Sequence, residues 1–151
     1  MPVSRAPIPT WYFVVVVVRR GSQFLLVHER KFGRGWYLPA GRVEPGELLA
    51  DGAIRETKEE AGCEVRLTGI YRVEHTPRLD GARMRVIFGA EAVADSPLKS
   101  AEDEHSLGAG WFTLAEIASL PLRAAEVLTL LRDVAAGAPL HSLSLLTCEE
   151  G

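Results

Sequence analysis

Cysteine is nearly absent from this chain: two of 151 residues, Cys63 and Cys148, lie far apart. They offer neither a disulfide framework nor a thiolate metal centre, and a reduced, cytoplasmic compartment is expected. A dominant charge is missing too. Seventeen Lys and Arg stand against twenty Asp and Glu, a formal net charge of −3, which gives no support to a general nucleic-acid or anionic-membrane binder. The four histidines, His28, His75, His105 and His141, show no ligand spacing and read as structural or exposed. The longest apolar run, "WYFVVVVV" at 11–18, is far too short to span a bilayer. It has one base before it, Arg5, and Arg19-Arg20 directly after it with no cleavage-type site, so a signal peptide is not expected. Repeats and low-complexity segments are also lacking.

What is present is an ordinary globular composition, 47% hydrophobic and 25% charged, in a length that suits one domain with its own core. A single domain over 1–151 is expected, with 1–10 and 139–151 as tails. The five consecutive valines are β-branched and predict a buried central strand. "QFLLVHER" reads as a second strand, joined to the first in a hairpin through Arg20-Gly21-Ser22. "KFGRGWYLPAGRVEPGE" (31–47), with four glycines and two prolines, reads as loop. A helix follows from about Glu47 to Ala61, with Gly62 as its stop. "EVRLTGIYRVEH" and "ARMRVIFGAEAV" are strand-like and should pair antiparallel across Asp80-Gly81. A polar stretch, 95–107, precedes a short helix, "TLAEIASL", and a longer one, "LRAAEVLTLLRDVAAG".

The first helix carries a puzzle. Glu56, Glu59 and Glu60 gather near its C-terminal end, where the helix dipole is least hospitable to acids. With 100° per residue, Ala50, Ile54, Thr57 and Ala61 form the face expected to be buried, and the three glutamates lie opposite. Like charges at i,i+3 and i,i+4 each cost about 0.2–0.5 kcal/mol, offset in part by Arg55 and Lys58. Two readings follow from the helix alone: a solvated face that tolerates the repulsion, or carboxylates converging on a hard divalent cation such as Mg²⁺.

The preceding loop selects between them. Gly41, Glu47, Arg55, Glu56, Glu59, Glu60 and Gly62 fit the pattern G-x5-E-x7-R-E-U-x-E-E-x-G-U, here "GRVEPGELLADGAIRETKEEAGC". This resembles the Nudix box of the Nudix (MutT-like) hydrolases. All seven fixed positions match, and only two aliphatic positions depart, with Thr57 and Cys63 in place of bulkier residues. The resemblance implies a Nudix-type α/β/α sandwich with a mixed sheet, and hydrolysis of a diphosphate linkage in a nucleoside diphosphate derivative. By resemblance, Glu56, Glu59 and Glu60 would ligate Mg²⁺, with Mn²⁺ as a substitute, and Glu47 would contact a further ion directly or through water. Arg55 would steer a box glutamate by salt bridge. Glu59 is the expected general base, with a loop acid as the alternative. Gly41 would give the loop room where backbone approaches the ion. Gly52, a helical glycine, would keep a neighbouring loop or the substrate close.

Beyond the box, "WYLPAGRVEPGE", "RMRVIFGAEA" and "SLGAGWFTLAEIASLPLRAAEVLTLL" are similar to the branch that hydrolyses oxidised guanine nucleoside diphosphates such as 8-oxo-dGDP; the likeness covers roughly 11–136. Arg30, Lys31 and Arg34 would then hold terminal phosphates, or form a solvated basic loop. Trp36 and Tyr37 would stack on a base or anchor their loop. Phe88 is a stacking candidate, and Asp103 or Glu104, in the acidic stretch "KSAEDEHS", would read the base edge, the alternative being a solvated loop. The rivals are an ADP-ribose or nucleotide-sugar pyrophosphatase, whose marker proline falls about fifteen or sixteen residues past the box and is narrowly missed by Pro77, fourteen past Cys63, and a non-catalytic nucleotide-sensing module. The expected partner is a small-molecule nucleotide rather than nucleic acid or membrane, with a homodimer left open.

Overall fold

The computed structural model describes residues 5–151, so the first four residues of the expected N-terminal tail lie outside the described part. Strand β1 (Thr10–Arg20) holds the molecule together. Its valines alternate between the two faces of the sheet, and all five are buried. Val14, Val16 and Val18 enter one core cluster with Leu25, Ala53 and Phe88. Val15 and Val17 enter a second with Phe24, Leu26 and Leu131. A strand buried on both faces reads as an unbroken apolar run, which explains the composition of 14–18.

The other strands are β2 (Gln23–His28), β3 (Trp36–Tyr37), β4 (Ala40–Arg42), β5 (Val65–Arg78), β6 (Gly81–Ala92) and β7 (Gly108–Thr113). The main path of the seven-stranded sheet runs β3-β2-β1-β6-β5, with β4 also on β1 and β7 also on β2. The sheet is mixed: β1 pairs antiparallel with β2 and β4 but parallel with β6, from Thr10 opposite Ala82 to Val18 opposite Ala90. Helix α1 (Leu49–Ala61) contributes Ala53 and Ala61 to the first core; α2 (Leu114–Ile117) and α3 (Glu126–Ala135) supply Ile117, Val127, Leu131 and Val134 to the second. This is the α/β/α sandwich anticipated, with helices on both faces of a mixed sheet.

Several boundaries differ from the sequence reading. The supposed loop 31–47 contains β3 and β4, and the strand β7 occupies "GAGWFT", where none was foreseen. Helix α1 begins at Leu49 rather than Glu47. Glu47 instead turns back to accept a hydrogen bond from the Glu44 backbone N–H at 3.1 Å. Its buried face is Gly52, Ala53, Thr57 and Ala61, while Ile54 is exposed. Small residues let the helix approach the sheet closely, so side-chain size rather than apolarity chose the face. Thr57 is satisfied there by donating to the Ala53 carbonyl at 2.8 Å. The C-terminal tail has a docking place: His141 and Ile70 exchange two backbone hydrogen bonds of 2.8 Å, and Leu140 lies against Gly69 and Gly89. Thr10 belongs to β1, which shortens the expected N-terminal tail by one residue.

Candidate active site

Arg55 organises the acids of α1. Its Nε and Nη2 donate to the two oxygens of Glu47 at 2.7 and 2.9 Å. Its Nη1 donates to Glu56 at 3.0 Å and to Glu59 at 3.1 Å, and Nη2 also reaches the Arg42 carbonyl at 3.1 Å. The resemblance-based role for Arg55 was a salt bridge to one box glutamate; the structure gives it three. Glu47 is held below the usual carboxylate range, chiefly by the Arg55 hydrogen bond. Glu56 moves the other way, because burial outweighs its contact with Arg55. Glu60 stands apart from Arg55. It accepts from the Ala40 backbone N–H at 2.8 Å, and burial pushes its pKa up to about 8.

Two glycines make this packing possible. A Cβ at Gly41 would fall on the carboxyl group of Glu56, so only glycine lets β4 lie against that side chain. A Cβ at Gly52 would stand 3.0 Å from a Glu47 oxygen and 3.5 Å from Val43. Gly52 is buried beneath the 43–47 loop, so the neighbour it accommodates is that loop. The far end of α1 is closed by Gly62 in the left-handed region (φ 73°), whose N–H donates to the Lys58 carbonyl. Segment 99–106 docks beside it: Lys99 N–H donates to the Ala61 carbonyl at 2.8 Å, and Ser106 Oγ to the Glu60 carbonyl at 2.6 Å.

A cleft of about 300 Å³ is lined by Gly41 and Glu60 and by Phe13, Arg83, Arg85 and Arg123; Gly41 lies on β4 and Arg83 and Arg85 on β6, the strands paired to opposite edges of β1. Of the substrate-contact candidates, Arg30, Lys31 and Glu104 line it. Arg30 is already tied to the Asp103 carbonyl at 2.9 Å and the Glu102 carboxylate at 3.3 Å. Arg34 and Trp36 are not part of the lining. Trp36 stacks on His28, with ring centroids 4.7 Å apart, and meets Phe112 edge-on at 5.0 Å, which makes it an anchor of its loop. Asp103 is a brace rather than a base reader. Its carboxylate accepts from Lys99 Nζ at 2.7 Å and from the His105 and Ser106 N–H groups at 2.8 and 3.2 Å, contacts that lower its pKa to about 2. Phe88 requires a correction: it is wholly buried in the α1-side core, because the pleat of β6 turns it away from the cleft, and no ligand can stack on it.

The sequence reading missed Arg83, Arg85 and Arg123. The first two carried a signal: in "RMRVIFG" they alternate in phase with Ile87, so two charges occupy inward positions of a strand. Arg123 carried none. It reaches the cleft because its backbone N–H donates to the Trp36 carbonyl at 2.9 Å, and it pairs with Glu29 at 3.0 and 3.2 Å.

Among the described residues no three His, Cys, Asp or Glu side chains form a ready ligand group, since Arg55 draws Glu47, Glu56 and Glu59 onto itself. The donor set nonetheless suits a hard divalent cation. Carboxylate oxygens are the ligands such ions take. Glu60 is partly buried and has no cationic hydrogen-bond partner among the described residues, and Glu56 is packed against bare backbone at Gly41. A cation there would favour the ionised carboxylates and so offset the burial that raises both pKa values.

A NUDIX domain model matches residues 9–131. Over 121 residues the chain is 38% identical to the "8-oxo-dGDP phosphatase NUDT18" of Danio rerio, covering 77% of this chain and 35% of that protein. Over 84 residues it is 37% identical to a "Putative 8-oxo-dGTP diphosphatase" of Bacillus subtilis (strain 168), covering 54% of this chain and 56% of the relative. The chain spans roughly a third of the length of the NUDT18 relatives it matches. Among solved structures, a "NUDIX hydrolase from Nitrosomonas europaea" superposes with a TM-score of 0.76 at 26% identity, over 95% of this chain and 99% of that one. Among the described residues no helix is long and apolar enough to cross a membrane.

Proposed function

Because the chain belongs to the NUDIX family, we propose that it hydrolyses the diphosphate linkage of a nucleotide with a divalent cation, Mg²⁺ or Mn²⁺, and that its substrate class is the oxidised guanine nucleoside diphosphates. The observation carrying this reading is one cleft lined by both acids, Glu60 among them, and arginines. A diphosphate needs a counter-ion at its reacting phosphorus, and the rest of the nucleotide needs hydrogen-bond donors. The relatives whose names specify oxidised guanine nucleotides favour that substrate over ADP-ribose.

When bound, the cation neutralises charge on the diphosphate and lowers the pKa of a water. Glu56, Glu59 and Glu60 are the residues to hold it. Glu47 is bound to Arg55 at both oxygens and contributes through that pairing. Arg55 is a positioning residue: it fixes the rotamers of Glu56 and Glu59 without touching substrate. Glu59, partly exposed and 3.9 Å from His105 of the cleft lining, takes the proton of the attacking water on its carboxylate. Glu104, exposed on the 99–106 segment and part of the cleft lining, is the loop acid that would serve instead. Lys31, exposed and lining the cleft, suits a terminal phosphate as a mobile point charge.

Phosphorus NMR or ion-exchange analysis of products, with Mg²⁺ and 8-oxo-dGDP, 8-oxo-dGTP, dGDP and ADP-ribose, tests the proposal. Preferential release of monophosphate from 8-oxo-dGDP supports it. Preferential formation of AMP from ADP-ribose keeps the chemistry and rejects the substrate. Nucleotide binding with no turnover rejects the hydrolase reading.

A further inference from the structure

The cations lining the cleft are not equivalent. Arg85 uses all its donor groups: Nε on Glu74 at 2.6 Å, Nη1 on the Tyr37 hydroxyl at 3.0 Å and Glu126 at 2.9 Å, and Nη2 on Glu126 at 3.1 Å. Arg123 is held by Glu29 and lies 4.5 Å from the Tyr37 ring centroid. Arg30 is bonded to the 102–103 backbone and side chain. Arg83 differs. Its Nε is shielded from solvent and has no hydrogen-bond partner among the described residues. Its guanidinium lies over the Phe13 ring, 4.2 Å from the centroid.

Native proteins rarely leave a buried donor unpaired, and such a group calls for an explanation. Phe13 supplies one half: it fixes the plane of the guanidinium through cation–π contact, so the donors lie in a set orientation before any ligand arrives. The shielded Nε is out of a ligand's reach, so the donors that lack an acceptor and can meet one are the Nη groups, which make no hydrogen bond among the described residues. The reacting diphosphate goes with the α1 carboxylates proposed to hold the cation, which pack at Gly41 of β4, whereas Arg83 stands on β6 at the opposite edge of β1, so the group left for Arg83 is the organic part of the nucleotide. A keto purine presents carbonyl oxygens in the plane of its ring, and a planar guanidinium is the side chain best matched to acceptors arranged so.

We propose that Arg83 is a specificity-determining residue that donates to a ring carbonyl of a keto or 8-oxo purine, with Phe13 as the platform holding it. This rests on the nucleotide hydrolase reading above. Arg85 acts on Arg83's side of the cleft only as a fixed wall, since each of its three nitrogens already donates to Glu74, Tyr37 or Glu126.

The test compares wild type with Arg83→Ala and Arg83→Lys by calorimetric titration of 8-oxo-dGMP, dGMP, 8-oxo-dAMP and dAMP, together with kcat and KM on 8-oxo-dGDP. Arg83→Ala should weaken 8-oxo-dGMP about tenfold and leave dAMP, which has no ring carbonyl, nearly unchanged. KM for 8-oxo-dGDP should rise with kcat little altered, and Arg83→Lys, which lacks the planar fork, should restore only part of the loss. A loss shared with dGMP assigns the contact to the six-position oxygen, and one shared with 8-oxo-dAMP to the eight-position oxygen; both support the proposal. Equal weakening of all four nucleotides places Arg83 on phosphate and overturns it, as does an unchanged affinity for all four. Failure of wild type to bind any of them overturns it too. A wild type that binds selectively but hydrolyses nothing sinks the hydrolase reading alone, because the affinity ratio still decides Arg83. Thermal melts of both variants guard against misfolding, and Arg83→Lys carries the test if Arg83→Ala is unfolded.

Discussion

Two arginines in this fold each gather carboxylates, and the two clusters come out differently. Arg85 sits among Glu74, Glu126 and the Tyr37 hydroxyl, and Arg72 brings a second cation to Glu74 at 3.4 Å, two charges of each sign. There partner and charge agree: Arg85 holds the Glu126 carboxyl below its usual range, and burial pushes the Tyr37 phenol up so that it stays a neutral donor to Glu126. Arg55 sits among Glu47, Glu56 and Glu59, with Glu60 nearby. One guanidinium neutralises one charge, and four acids are present. The surplus shows in Glu56 and Glu60, whose pKa values are raised by burial. A balanced cluster braces the fold, whereas an acid-rich one is built for something that arrives with positive charge.

The sharpest separation between the two is catalytic. Glu59→Gln should lower kcat by about 10²–10⁴-fold, while Glu126→Gln should leave turnover within a few-fold; monophosphate release with Mg²⁺ measures both, and equal losses would collapse the distinction. The next effect is on stability. Mg²⁺ at a hundred times its dissociation constant should stabilise the wild type by about 2.7 kcal/mol, an increase reversed by EDTA. Glu56→Gln should lose most of that increment and Glu126→Gln none, as read by calorimetric melts.

The pH response should have opposite signs. Glu60 has a folded pKa of about 8 against an ordinary 4.5, so the folded state binds its proton more tightly. Stability from that group is complete below about 4.5 and is lost as pH rises toward 8. Glu126 is lowered, so its contribution is present above the ordinary carboxylate value and is lost as pH falls through its folded pKa. Urea unfolding of the metal-free chain across this range should show the decline toward pH 8 vanish in Glu60→Gln and persist in Glu126→Gln. The smallest effect is the brace itself. Glu126 is about half exposed, so its pairing is screened, and Glu126→Gln should cost about 0.5–1 kcal/mol in a urea melt at neutral pH.

The acid-rich cluster was legible in the sequence because its members lie within one helix and the loop before it; spacing left a solvated face and a cation site both open, and the resemblance to the Nudix box chose between them. The Arg85 cluster was not, since Tyr37, Glu74, Arg85 and Glu126 come from four elements that meet only through tertiary pairing. The same contrast runs through the fold. The β5–β6 hairpin was readable from Asp80-Gly81, and the structure pairs Arg78 with Gly81. The parallel pairing of β1 with β6 was not, because it has no turn to announce it. Phe88 was misplaced for a related reason: its face depends on the β6 register against Val16, which no local pattern sets. Ile54 was misplaced because apolarity was weighed and size was not. Arg83 was passed over although its alternation with Arg85 was visible.

Strand β1 also governs how the chain reaches its native state. Val14 waits for Val86, a partner 86 − 14 = 72 positions further along. Non-local parallel pairings form slowly, and until β6 arrives the five valines present an unpaired, uncharged, β-prone edge of the kind that nucleates aggregation. The strand that gives the finished protein its two cores is therefore its main liability during synthesis. Arg19 and Arg20, directly after the run, are placed as charged gatekeepers at its end.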